Sequence, residues 1–206
     1  MFALIDNQQI TKFYSGNKGV IIGDNQYPRS IFTLWNEAQR NAIGIFEVTV
    51  DTTNKKDEQW YINTNVSYGV ESNKAVGSYG AATAKAIDNT LWTQADSDNG
   101  DLPSDKSVGD VKVEGLKTIK KRIVKQQAAG ILQDTDWYIT RKADAGTAVP
   151  SAVTTHRAAV RTKSGEMETA INNAADVDAL AALYVYTKQE DGSVTRPLGE
   201  FPRLDS

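Results

Sequence analysis

Six residues, Asp96-Ser97-Asp98-Asn99-Gly100-Asp101, come nearest to a chemical site, because alternating carboxylates are what a hard divalent cation needs. The register defeats that reading. Glycine falls at the fifth position and aspartate at the sixth, where a calcium loop wants a ligand and then glycine, and Ser107 stands where a glutamate is required. The stretch reads as an acidic loop. Gly77-Ser78-Tyr79-Gly80 lacks the third glycine of a dinucleotide fingerprint and reads as a turn. There is no cysteine and one histidine, His156, which excludes disulfides, thiolate metal sites and multi-histidine zinc sites. A serine nucleophile would have to borrow His156 as its base, and no nucleophile-elbow motif accompanies it. The chain therefore reads as non-enzymatic, with no cofactor and no metal expected.

Charge offers the next candidates. Lys112, Lys117, Lys120, Lys121, Arg122 and Lys125 set six cations against the single acid Glu114. Lys117, Lys120, Lys121 and Lys125 could face nucleic acid or an acidic partner, but a solvated helix face explains them as well. No aromatic residue interleaves the run to stack on single strands, and the net charge of −3 gives no overall pull toward anions. Arg157 and Arg161 are four apart and share a helix face, Arg141 precedes them, and Asp134 and Asp136 are the nearest acids. We expect Trp137 to pack between a helix over 113–132 and another over 151–163, with Asp136 holding an arginine across the gap. The alternative is that these arginines read an acidic partner.

The elements that position these residues follow from periodicity. Phe2–Ile5, Lys12–Tyr14 and Gly19–Ile22 read as strands, the last two separated by Ser15-Gly16-Asn17. Ser30 or Thr33 begins a helix to about Ile43, closed by Gly44. Alternation over 45–50 and 59–70 predicts an antiparallel hairpin with a long loop. A weak repeat of Ala81, Ala84, Ile87 and Leu91 allows a helix over 78–92. The strongest helix is 113–132, with Leu116, Ile119, Ile123 and Val124 on one face. Residues 138–140 read as extended, Pro150 opens the helix to about 163, and one or two short helices follow over 167–183, with Asp176 a cap. Residues 183–188 and 193–198 form a hairpin, and Phe201-Pro202-Arg203-Leu204 a docked tail.

The fold class is α+β: a small N-terminal antiparallel sheet with a helix, then a mostly helical C-terminal part with an amphipathic helix pair. The domains are 1–93, an acidic linker over 94–110, and 111–206. The N-terminus lacks the basic and apolar segments of a signal peptide, and no stretch approaches the roughly 18 apolar residues of a membrane span, so no membrane association is expected.

The segment from Leu116 to about Ile171 resembles the tail assembly chaperone-like module of tailed bacteriophages. The shared features are the basic amphipathic helix, Leu132-Gln133-Asp134-Thr135-Asp136-Trp137, Arg141, Pro150, Arg157-Ala158-Ala159-Val160-Arg161 and Ile171. His156 replaces the aromatic residue that usually precedes the first arginine, and the closing Trp-Pro is missing. Phe2-Ala3-Leu4-Ile5, Gly23-Asp24 and Trp35-Asn36-Glu37-Ala38 resemble, more loosely, the opening of tail-region proteins of aquatic phages. The resemblance implies a virion tail or baseplate component, made in the bacterial host cytoplasm and joined to itself or to other tail proteins. Its alternative is a tail or tail-fibre assembly chaperone absent from the mature particle. The basic helix alone would make a nucleic-acid-binding accessory protein.

Overall fold

The computed structural model describes residues 1–204. The chain is α+β and divides into two compact units, Met1–Thr83 and a second that begins at Ala84. The division thus falls between Thr83 and Ala84 rather than at 94–110.

In the first unit the strands are β1 (Phe2–Asp6), β2 (Gln9–Tyr14), β3 (Val20–Ile22), β4 (Asn25–Tyr27), β5 (Ile45–Asp51), β6 (Tyr61–Ile62), β7 (Val66–Glu71) and β8 (Lys74–Tyr79), with β9 (Thr83–Ala84) at the division. The main sheet has the order β2-β1-β5-β8-β7 and is antiparallel except where β5 meets β8, with Val48 opposite Ala75. Its two hairpins turn on Asn7-Gln8 (φ 47° and 64°) and Ser72-Asn73 (φ 50° and 58°), the paired left-handed residues that match the twist of a tight hairpin. Gln8 Nε2 donates to Asn73 Oδ1 at 2.7 Å, and Phe13 meets Tyr68 edge-on at 4.9 Å. The sheet is therefore curled until side chains of its two outer strands touch. Ile31 and Ile45 are fully buried, and with Val20 and Phe32 they form the core against which Phe2, Leu4 and Trp35 pack.

Four expectations here are corrected. The pairing of 45–50 with 59–70 does not form: β5 lies between β1 and β8. Asn63 interrupts the second run, because its amide accepts from Lys56 N at 2.9 Å and donates to Lys56 O at 2.8 Å, closing its own loop. The helix expected from Ser30 or Thr33 is a 3-10 turn, Arg29–Phe32, then α1 (Glu37–Asn41), which Asn36 and Gln39 cap reciprocally at 2.9 and 3.0 Å. No helix covers 78–92, and Gly77-Ser78-Tyr79-Gly80 is not a turn but the end of β8 and the residue after it. Gly77 faces Tyr68, and a Cβ there would come within 2.7 Å of that ring.

The second unit carries β10 (Thr90–Leu91), α2 (Gln94–Asp98), β11 (Val111–Val113), α3 (Leu116–Gln133), α4 (Asp136–Ala145), α5 (Ser151–Asn173), α6 (Val177–Ala182), β12 (Thr187–Lys188) and β13 (Val194–Thr195). The acidic stretch 94–110 is no linker. It is an excursion closed at its base by β10 and β11 and begun by α2. Helices α3 and α5 run in opposite directions, since Leu132 meets Arg157, Lys125 meets Glu168 and Lys121 meets Asn172. Leu116, Val124 and Ala128 of α3 and Val153, Val160, Met167 and Ile171 of α5 are buried at helical spacing. α6 adds Val177 and Leu180, and Asp176 caps it by accepting from Ala179 N at 2.8 Å.

α5 absorbs the short helix expected after 167, because Gly165 lies on its exposed side, where an added Cβ would meet nothing within 4 Å. The start of α3 is closed differently. Leu116 N and Lys117 N donate to Ala86 O and Ile87 O at 3.0 and 2.9 Å, so main chain takes the place of a side-chain cap. That approach requires Gly115, whose Cβ would lie 2.3 Å from the Asp88 carbonyl carbon. Two glycine substitutions should therefore act in opposite directions. Gly165→Ala should stabilise the second unit by about 0.8–1 kcal/mol in urea unfolding. Gly115→Ala should lower its midpoint, and an unchanged midpoint would show that α3 starts without this main-chain approach.

Candidate functional site

The residues singled out between Leu132 and Arg161 converge on one corner, where α3 ends, α4 begins and α5 passes. Arg157 is its centre and is 8% exposed. Its Nη1 donates to Leu132 O at 2.7 Å and to Thr135 Oγ1 at 2.6 Å, and its Nη2 meets Asp136 Oδ1 at 2.8 Å. One guanidinium thus adds a charged donor to a carbonyl in the last turn of α3, which also accepts from Thr135 N at 3.1 Å, and holds the acid in the first turn of α4. Thr135, itself buried, also donates from Oγ1 to Leu132 O at 3.0 Å.

The tryptophan does not do what the sequence suggested. Trp137 is 51% exposed and is not wedged between the two long helices. α3 and α5 pack directly on Val124, Ala128, Val153 and Val160, which leaves no slot for an indole between them. Tyr138, expected to be extended, is in α4 and lies on Trp137 with ring centroids 3.9 Å apart. Arg141, one turn on, places its guanidinium 4.6 Å from the Trp137 ring and 5.4 Å from Tyr138. Gly146, at φ 68°, ends the helix. Asp134 is exposed and holds no cation among the described residues, and Arg161 donates to the Arg157 carbonyl at 3.4 Å.

The basic helix is not the open surface that its composition suggested. Lys120 is buried, with its ammonium 4.9 Å from the Tyr184 ring centre. Lys117 pairs with Asp88 at 3.3 Å and Lys125 with Glu168 at 3.3 Å, while Lys121 reaches Asn172 at 3.5 Å. These lysines tie α3 to its own unit.

Beside the corner a groove of about 1030 Å³ opens between α3, α4, α5 and the C-terminal segment. Trp137, Tyr138 and His156 line one side, and Tyr186, Arg196, Glu200 and Phe201 the other. Arg196 holds Glu200 at 2.8 Å, and Tyr186 donates from its hydroxyl to the same carboxylate at 2.8 Å. That bond to Glu200 raises the Tyr186 phenol above its ordinary range. His156 is 8% exposed, and its Nδ1 has no hydrogen-bond partner. Sequence reading missed the wall made by Tyr186, Arg196 and Glu200. The spacing Arg196-x-x-x-Glu200 was the available signal.

Among the described residues no group of three or more histidine, aspartate or glutamate side chains could hold a metal ion. In the acidic excursion Asp96 has a different task. Its Oδ1 accepts from Lys112 Nζ at 2.6 Å and its Oδ2 from Thr93 N and Oγ1 at 2.8 and 2.6 Å. The Lys112 bond first, and the Thr93 bonds after it, hold the carboxyl well below the usual carboxylate range.

Two sets of outcomes follow. Arg157→Ala should cost about 2–3 kcal/mol, because it removes a buried aliphatic stem and the charged donor to Leu132 O and Thr135 Oγ1, whereas Asp136→Asn should cost about 1 kcal/mol, because the amide oxygen still accepts from the buried guanidinium although the countercharge is gone. Urea unfolding of both variants checks the order, and equal costs would contradict it. For Asp96 the folded pKa lies below the unfolded one, so its stabilising contribution is present above about pH 4 and is lost as pH falls through the folded value. Carboxyl NMR should find Asp96 still ionised at about pH 3, and Lys112→Ala should move its titration up toward that of an ordinary aspartate.

Comparison with family models, with curated proteins and with solved structures finds no match to this chain.

Proposed function

We propose that the chain is a non-enzymatic structural protein of a bacteriophage tail or baseplate, working in the virion through contacts with other tail proteins. Two things support this reading. One is the resemblance of Leu116–Ile171 to the tail assembly chaperone-like module, in which Asp136, Trp137, Arg141, Arg157 and Arg161 stand at the shared positions. The other is a complete sheet-built unit ahead of that segment, more than a bare chaperone module needs.

The observation that carries the contact role is the Phe13–Tyr68 pair. Both rings sit on outer strands of the main sheet, are 43% and 42% exposed, and touch at 4.9 Å. Adjacent exposed aromatics are the residue type around which protein interfaces concentrate their affinity. In the second unit the basic helix is spent on internal pairs, which leaves the nucleic-acid alternative with little free charge.

Mass spectrometry of purified particles tests the proposal. The chain should be present in mature virions, and Phe13→Ser with Tyr68→Ser should cut its copy number at least tenfold while circular dichroism remains that of the folded protein. Presence during assembly and absence from mature particles would instead mark an assembly chaperone.

A further inference from the structure

We infer that the groove beside Trp137 is a binding site for a neutral oligosaccharide. Three features of the groove select that ligand class. First, its formal charges cancel: the charged side chains lining it are Asp134, Arg196, Glu200 and Arg203, two of each sign. Arg196 and Glu200 already neutralise each other at 2.8 Å. A lining of balanced charge gives no net attraction to an anion or a cation, yet it supplies both donors and acceptors, the pattern that sugar hydroxyls require.

Second, the walls carry aromatic faces open to solvent. Trp137 is 51% and Tyr186 55% exposed. Tyr138 covers one side of the indole at 3.9 Å. The guanidinium of Arg141, 4.6 Å from the indole and 5.4 Å from Tyr138, sits beside the ring pair and not opposite Tyr138. The far side of the indole is left to a ligand, and an aromatic face is a natural partner for the C–H face of a pyranose.

Third, the groove has room for more than one ring. The groove, at about 1030 Å³ and open along its length, is at the upper end of the small-ligand range and suits a chain of two or three sugar rings better than a single one.

The test is calorimetric titration of the full chain with three neutral trisaccharides, maltotriose, mannotriose and tri-N-acetylchitotriose, and with a sulfated heparin disaccharide as an anionic probe. At least one neutral trisaccharide should bind with a Kd on the order of 0.1–1 mM. Trp137→Ala should weaken that binding at least tenfold while the melting temperature stays within a few degrees, since half of the indole is already solvated. Failure of all three trisaccharides at about 10 mM would overturn the inference. So would Trp137→Ala binding as tightly as the wild type, or tighter binding of the heparin disaccharide. None of these outcomes depends on whether the chain resides in a particle.

Discussion

The second unit depends on one buried guanidinium. A guanidinium withdrawn from water is costly unless every direction in which it donates meets an acceptor. Arg157 meets that condition through a carbonyl of α3, the Thr135 hydroxyl and the Asp136 carboxylate. The demand works in both directions. Leu132 O, in the last turn of α3, accepts from Thr135 N as well as from Arg157, and α4 starts at Asp136, whose carboxylate the same guanidinium holds. A corner between two helices usually needs glycine or proline, and none occurs between Gln133 and Asp136. The charge network supplies the turn instead.

Once the corner is fixed, the direction of α4 is fixed, and with it the outward display of Trp137, Tyr138 and Arg141. Rings whose size alone would place them inside are thus presented to solvent, next to the wall contributed by Tyr186 and Glu200. The lysines of α3 show the opposite transfer. They look like a display surface and are consumed by Asp88, Glu168, Asn172 and the Tyr184 ring. Burial has also raised the Tyr184 phenol above its ordinary range, Arg196 opposing that shift.

How legible this was depends on the range of the interactions. β1, β2, β5, α3 and the cap at Asp176 follow from local alternation, helical spacing and a capping residue, and the structure has them near the expected positions. The partner of β5 was not legible, because parallel pairing with β8 is decided by the tight turn at Ser72-Asn73 and by Gly77 under Tyr68, not by the alternation of β5 itself. The ion pair of Asp136 with Arg157 follows from the few charges near the corner. The indole's position does not. Its size suggested burial, but a wedge needs space, and Val124, Ala128, Val153 and Val160 had already closed the interface. Residues 138–140 read as extended because Tyr-Ile-Thr favours strands locally, and the anchoring of the first turn of α4 overrides that preference.

Hydrogen exchange of α4 in an Arg157→Met variant bears most directly on this account, because methionine keeps the bulk and removes every donor. The amides of 138–145 should lose their protection while those of the first unit and of the middle of α5 keep theirs. Protection of α4 equal to that of the wild type would mean that the helix holds its place without the guanidinium, and that the corner is built by packing rather than by charge.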